Sequence, residues 1–213
     1  MTAGAESGNA EAPRAHSVAR ERYGVVAIAL HWLIAALIAW NLVLGFEMHS
    51  AKGLEQFNLF QLHKSVGISV LLASLMRLAW RLTHRPPALP GDMAGWEKLL
   101  ARATHIALYA IMIAMPLTGW IVVSTSPLNI PTLLFQTIPW PHFPGVHDLP
   151  VAAKAGVNAG FGTVHMLLAW STLFLIFLHI AGALKHAFLT RDGVFQHMLP
   201  FVGGVNRSEG ILR

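Results

Sequence analysis

Twelve histidines stand in this 213-residue chain against ten aspartates and glutamates. His165 and His179 are 14 residues apart, close to four helical turns, so on one helix they share a face and stand about 21 Å apart along its axis. That separation places one near each surface of a membrane. His63 opens another apolar run at a depth that matches His165, and His31 lies about two turns inside a third run at a depth that matches His179. The four sort into an outer pair, His63 with His165, and an inner pair, His31 with His179. Two imidazoles facing each other from different helices are what a b-type haem requires, because ring nitrogens fill both axial positions of the iron. Zinc or copper would need further His or carboxylate ligands, and none of the apolar runs carries Asp or Glu. A lone intramembrane His can instead bond a Ser or a backbone carbonyl across a bundle, and a transporter can use His as a proton relay. Paired histidines at two depths without a carboxylate fit haem better.

A porphyrin must lie flat beside its ligand, which calls for small residues one turn away. The residues four after these histidines are Ala35, Gly67, Ala169 and Ala183, with Gly182 adding room beside His179. His105 is followed by Tyr109 and His186 by Thr190, so neither offers that room. His105 is open to several roles: an alternative inner ligand, a partner for a haem propionate, a hydrogen-bonding group for a quinone, or an interfacial His. His186, seven residues beyond His179 and beside Lys185, suits a propionate, a quinone carbonyl or the headgroup level. Arg77 follows His63 by 14 residues and so shares its face at the opposite depth. Its guanidinium can hold a propionate bidentately or snorkel to lipid phosphate, as expected of Arg81.

Four apolar runs must position these residues: Val25 to Phe46, Ser65 to Leu82, Ile106 to Val123 and Phe161 to Leu184. About 20 such residues cross the hydrocarbon core. Only 12% of the chain is charged, 54% is apolar and the mean hydropathy is +0.54, whereas a soluble domain carries about a quarter charged residues. The expected fold is an all-α membrane protein, a four-transmembrane-helix bundle binding two b-type haems. With no cysteine, disulfides, thiolate-held iron–sulfur clusters and covalent haem attachment are excluded. The net charge of +5 does not read as nucleic-acid binding, because the basic residues lie between apolar runs rather than on a polar face.

Of the fifteen Lys and Arg, only Lys52, Lys64 and Lys154 fall on one side of the four runs, and the other twelve fall on the opposite side. Cytoplasmic loops retain positive charge, so both termini and the Pro86 to Pro90 connection are expected inside. The Ser124 to Gly160 connection is then a periplasmic loop, holding His142 and His147. Residues 1–21 read as a disordered cytoplasmic tail rich in Ala, Gly and Glu, residues 22–200 as the membrane domain, and 201–213 as a cytoplasmic C-terminal tail. The three outer lysines face Glu47, Glu55 and Asp148, a neutral balance that steers an anion only if the lysines cluster.

The segments Ile28-Ala-Leu-His-Trp-Leu33, Leu62-His-Lys-Ser-Val-Gly67, Arg77-Leu-Ala-Trp-Arg-Leu-Thr-His-Arg-Pro-Pro87, His105-Ile-Ala-Leu-Tyr109, Met115-Pro-Leu-Thr-Gly-Trp120 and Leu178-His179 leading to Leu184-Lys-His-Ala-Phe188 together resemble the bacterial cytochrome b561 family of dihaem membrane cytochromes. The resemblance covers about residues 22–200. It implies four helices, two non-covalent b haems, a bacterial inner-membrane location and electron exchange with ubiquinone. By position it carries ligand roles to His31, His63, His165 and His179. One branch of that family resembles superoxide:ubiquinone oxidoreductases, and others are paired with periplasmic redox partners. The expected function is therefore relay of single electrons across the membrane between the ubiquinone pool and a periplasmic donor or acceptor, superoxide or a redox protein. A haem-binding anchor subunit for a redox partner is the alternative. Quinone takes up protons with its electrons, and His105, His186 and Arg77 are the inner candidates for its site. The Ser124 to Gly160 loop departs from the shorter members.

Overall fold

The structure, a computed structural model, describes residues 23–84, 87, 93–191 and 194–200. Four helices in it are long and apolar enough to cross a membrane: α1 (Val25–Ser50), α2 (Gly53–Thr83), α3 (Gly95–Ser124) and α4 (Val151–Leu184). A short antiparallel hairpin, β1 (Thr132–Leu134) with β2 (Ile138–Trp140), sits between α3 and α4. A π-helical turn, Lys185–Thr190, continues α4, and a 3-10 turn, Phe195–Met198, follows. The expected tails, residues 1–21 and 201–213, fall outside the described residues, as does most of the Pro86 to Pro90 connection.

The helices outrun the apolar stretches that announce them. The 31 residues of α2 extend about 46 Å, against a hydrocarbon core of about 30 Å. α2 starts at Gly53 rather than Ser65, α3 at Gly95 rather than Ile106, and α4 at Val151 rather than Phe161. The added turns carry Glu55, Gln56, Asn58 and Gln61, or Trp96, Glu97 and Lys98, which lower hydropathy without opposing helix formation. Hence His63 and His105 stand inside long helices rather than at their first residues. The turn from α1 to α2 is only Ala51 and Lys52, and Gly53 takes φ +60° there, a conformation that penalises any side chain.

α1 packs along α2, α3 along α4, and α2 against α3. More of the buried positions lie on α2 than on any other helix, and there Ser65, Val66 and Ser74 are fully enclosed. Small residues there let backbones approach, the usual basis of helix association in lipid. α1 and α4 meet instead through side chains, at His31 with His179 and at Phe46 with Trp170. The bundle is thus two helical hairpins joined at α2 and α3, with ring systems between α1 and α4. Trp170, Phe174 and Phe177 on α4 are mostly exposed, as befits a surface solvated by lipid chains.

The connection from α3 to α4 is an ordered cap. Gln61 Nε2 donates to the Pro131 carbonyl (3.1 Å), and the Phe135 N–H donates to Ser65 Oγ (2.9 Å), pinning the β-hairpin to α2. Trp120 Nε1 donates to the Pro141 carbonyl (2.9 Å), and its ring packs edge-on against Phe143 at 5.0 Å. Asn158 Nδ2 reaches from α4 to the Val122 carbonyl of α3 (2.7 Å). Alternation of apolar and polar residues is too short in this loop to announce two three-residue strands, so they were not expected from the sequence.

Candidate functional site

At the end of the bundle capped by the β-hairpin, the His63 ring of α2 and the His165 ring of α4 face each other with centroids 6.3 Å apart. His63 Nδ1 lies 3.2 Å from the Asn41 carbonyl of α1, and His165 Nδ1 lies 3.1 Å from the Met115 carbonyl of α3. A carbonyl only accepts, so each Nδ1 carries the proton and each Nε2 keeps its lone pair. That is the tautomer of a metal-ligating imidazole whose other nitrogen is fixed by a backbone acceptor. The Thr118 hydroxyl donates to the Met115 carbonyl at 2.7 Å and stands 3.0 Å from His165 Nδ1, closing a three-membered polar group. Gly119 makes the ring position possible: a Cβ there would stand 3.0 Å from His165 Cε1. Gly45 similarly leaves room beside His63, at 3.7 Å from its Cε1.

At the other end, the His31 and His179 rings approach to 6.1 Å and those of His105 and His179 to 5.6 Å. An imidazole nitrogen about 2.0 Å from a first-row metal puts its ring centre about 3.1 Å from that metal, so two axial rings face each other at about 6.3 Å. The His63–His165 and His31–His179 separations meet that spacing, while the His105–His179 separation is short of it. His105 Nδ1 turns back on its own helix, 2.7 Å from the Ala101 carbonyl. His63 with His165 and His31 with His179, one pair at each end of the bundle, are the residues that would hold haem iron.

Arg77 braces this end. Its Nε donates to the Tyr109 hydroxyl (3.1 Å) and its Nη1 to the Ala27 carbonyl (3.0 Å), one turn before His31. Arg81 sits over the same Tyr109 ring at 5.7 Å. Two of the donors of Arg77 are therefore spent on joining α1, α2 and α3. His186 lies in the π-helical turn, where its carbonyl accepts from the N–H of Arg191 (2.9 Å), a residue held at φ +53°. The neighbouring Lys185 pairs with Glu97 at the start of α3 and lies over the Trp96 ring at 5.4 Å. Trp32, next to His31, donates to the Met198 carbonyl at 2.8 Å.

Outside the spans, His142 and His147 stack face to face at 3.9 Å. His142 sits below its ordinary pKa, first through burial and then through the positive potentials of His147, Lys154 and Lys64, with Asp148 opposing them. The charges of Lys64 on α2 and Lys154 on α4 thus both act on His142, against that of Asp148. The sequence did not single out Asn41, Thr118, Gly119 or Gly45 as supports of the ring pairs. Asn41 as a polar residue within an apolar run, and Thr118-Gly119 inside the Met115 to Trp120 segment, were the signals present.

The chain matches the family model described as prokaryotic cytochrome b561 over residues 22–201. It is 33% identical to cytochrome b561 homolog 2 of Escherichia coli over 183 residues, which cover 84% of this chain and 92% of that relative. It is 26% identical to the probable superoxide oxidase CybB of Yersinia pestis, over 84% of this chain and 97% of that protein. Identity to cytochrome b561 homolog 1 of Escherichia coli is 25%, again over 84% and 97%. Four long apolar helices with histidine rings facing one another between them, and a family match across nearly all of the membrane domain, agree: the chain belongs to the prokaryotic cytochrome b561 family of multi-pass bacterial membrane electron-transfer proteins, which bind haem b.

Proposed function

We propose that this protein holds two b haems and relays single electrons between a periplasmic donor and the ubiquinone pool of the bacterial inner membrane. The observation that carries this is the pair of imidazole separations, 6.3 Å at the hairpin-capped end and 6.1 Å at the other. His63 and His165 hold the outer haem and His31 and His179 the inner one. A haem held by two imidazoles would supply one-electron transfer there rather than oxygen activation. The chain's own residues orient the ligands: Asn41 and Met115 carbonyls fix the outer tautomers, and Gly119 admits the His165 ring. Arg77, kept in place by Tyr109 and Ala27, presents its remaining terminal nitrogen toward an inner propionate. His105 and His186 serve the inner quinone site, where a ring nitrogen can hold or release a proton as quinone changes redox state.

On the outer side, the positive potentials of His147, Lys154 and Lys64 at His142 outweigh that of Asp148 and support an anionic donor. The superoxide oxidase name of one relative points the same way, and superoxide is the donor we assign. Both termini lie in the cytoplasm, a reading that the twelve-to-three distribution of basic residues supports. A reduced-minus-oxidised spectrum of the purified protein, with haem counted per chain, tests the assignment: two low-spin haems are expected, and one haem, or a high-spin signal in intact protein, removes one of the two pairs.

A further inference from the structure

The four paired histidines are not held alike. His63 Nδ1 gives its proton to one acceptor, the Asn41 carbonyl at 3.2 Å, whereas His165 Nδ1 faces two, the Met115 carbonyl at 3.1 Å and the Thr118 hydroxyl at 3.0 Å. Thr118 is 7% exposed, and its own proton goes to the Met115 carbonyl at 2.7 Å. Its oxygen therefore has only lone pairs to offer the ring. Bonding of a hydroxyl back to its own helix is ordinary, and Ser171 and Thr172 do so on α4. Thr118 differs because the same oxygen also meets an imidazole of another helix. Among the described residues, the His31 and His179 rings face each other without a hydrogen-bond partner.

An acceptor on Nδ1–H pushes electron density toward Nε2 and makes the ring a stronger donor to a metal. A stronger donor favours the oxidised state of that metal, which carries one more positive charge, and so lowers its reduction potential. We propose that Thr118 is a positioning residue that acts through the Nδ1 proton of His165 and lowers the midpoint potential of the outer haem. The gain is directional: a lower outer potential favours passage of one electron from the outer iron, which is oxidised, to the inner iron, which is reduced. This rests on the haem reading above, and the inner pair, which lacks such acceptors, serves as the internal reference.

The test is a spectroelectrochemical titration of the full-length, haem-loaded protein, with His165→Ala, which loses the outer low-spin signal, identifying the inner component. Thr118→Val keeps the shape and removes the hydroxyl. It should raise the outer potential by about 40 mV and leave the inner one in place. That is about a fivefold change in a one-electron equilibrium, the difference between a hydrogen bond to a charged and to a neutral group. Thr118→Ala should repeat the shift without branching at Cβ, and Thr118→Ser, which keeps the oxygen, should restore the native value. An outer potential unchanged or lowered in both Thr118→Val and Thr118→Ala overturns the proposal, as do equal shifts of both haems or a shift that Thr118→Ser does not reverse. Loss of the outer haem from both Thr118→Val and Thr118→Ala also overturns it, because Thr118 is then needed for assembly rather than for tuning. A native protein with one haem, or His165→Ala with two low-spin haems, removes the axial pairs themselves.

Discussion

His63 on α2 and His165 on α4 stand 6.3 Å apart, each with its Nδ1 turned onto a carbonyl of the helix it is paired with in its own hairpin, Asn41 of α1 and Met115 of α3. Each helical hairpin therefore orients one imidazole of the pair before the two hairpins meet. A group held by both imidazoles would sit in the space between them.

His63→Ala or His165→Ala is expected to remove one of two haems, or make it high-spin, and to leave the other unchanged. His31→Ala or His179→Ala should do the same to the other haem. Haem content with electron paramagnetic resonance checks both. Loss of a haem from His105→Ala with both retained in His31→Ala would reassign the inner pair to α3 and α4.

His105→Ala and Arg77→Ala should keep both haems low-spin while slowing quinone-linked electron transfer in proteoliposomes. His105 leaves less space to His179, 5.6 Å, than axial ligation needs, and Tyr109 is fixed one turn away by Arg77. Tyr109→Phe removes only the hydroxyl that accepts from Arg77. It should reproduce part of the Arg77→Ala shift in haem midpoint potential if the guanidinium is held for a propionate.

Gly119→Val should displace the His165 ring, because even a Cβ would lie 3.0 Å from Cε1. The expected result is loss of the outer haem alone, with Gly119→Ala giving a retained haem with altered spectral g values. Intact spectra in both variants would show that the backbone of α3 yields at Pro116 instead.

The His142–His147 stack should loosen as pH falls. Its surroundings hold the His142 pKa below the ordinary 6.5, so the unfolded or opened loop binds the proton more readily. Stability from the stack is present above about 6.5 and is lost as pH drops from there toward the lowered pKa. Hydrogen-exchange protection over residues 141–149, corrected for the intrinsic pH dependence of exchange, should fall between pH 7.5 and 5.5, and His142→Gln should flatten that dependence.

A reporter active only in the periplasm should give signal when fused after Pro144 and none after Pro90. The reverse pattern would exchange the outer and inner ends.

Four spans, and the shared face of His165 and His179 along one of them, were legible in the sequence, because bilayer thickness and a rise of about 1.5 Å per residue convert spacing into depth, whereas His63 and His105 were read at the openings of their spans and stand inside longer helices. The 14-residue interval from His165 to His179 is the clearest case. The polar first turns of α2, which carry Gln61, were not legible, since hydropathy reports solubility in lipid rather than helicity. Lateral relations were decided only by tertiary structure. Packing of small residues sets which helices neighbour one another, and only that packing brings the Met115 carbonyl to His165 and His105 beside His179. The β-hairpin belongs to the same class, because its three-residue strands persist through Gln61 and Ser65, bonded from some 70 residues earlier in the chain. Local pattern determines depth and face, while long-range hydrogen bonds and close packing determine which faces meet.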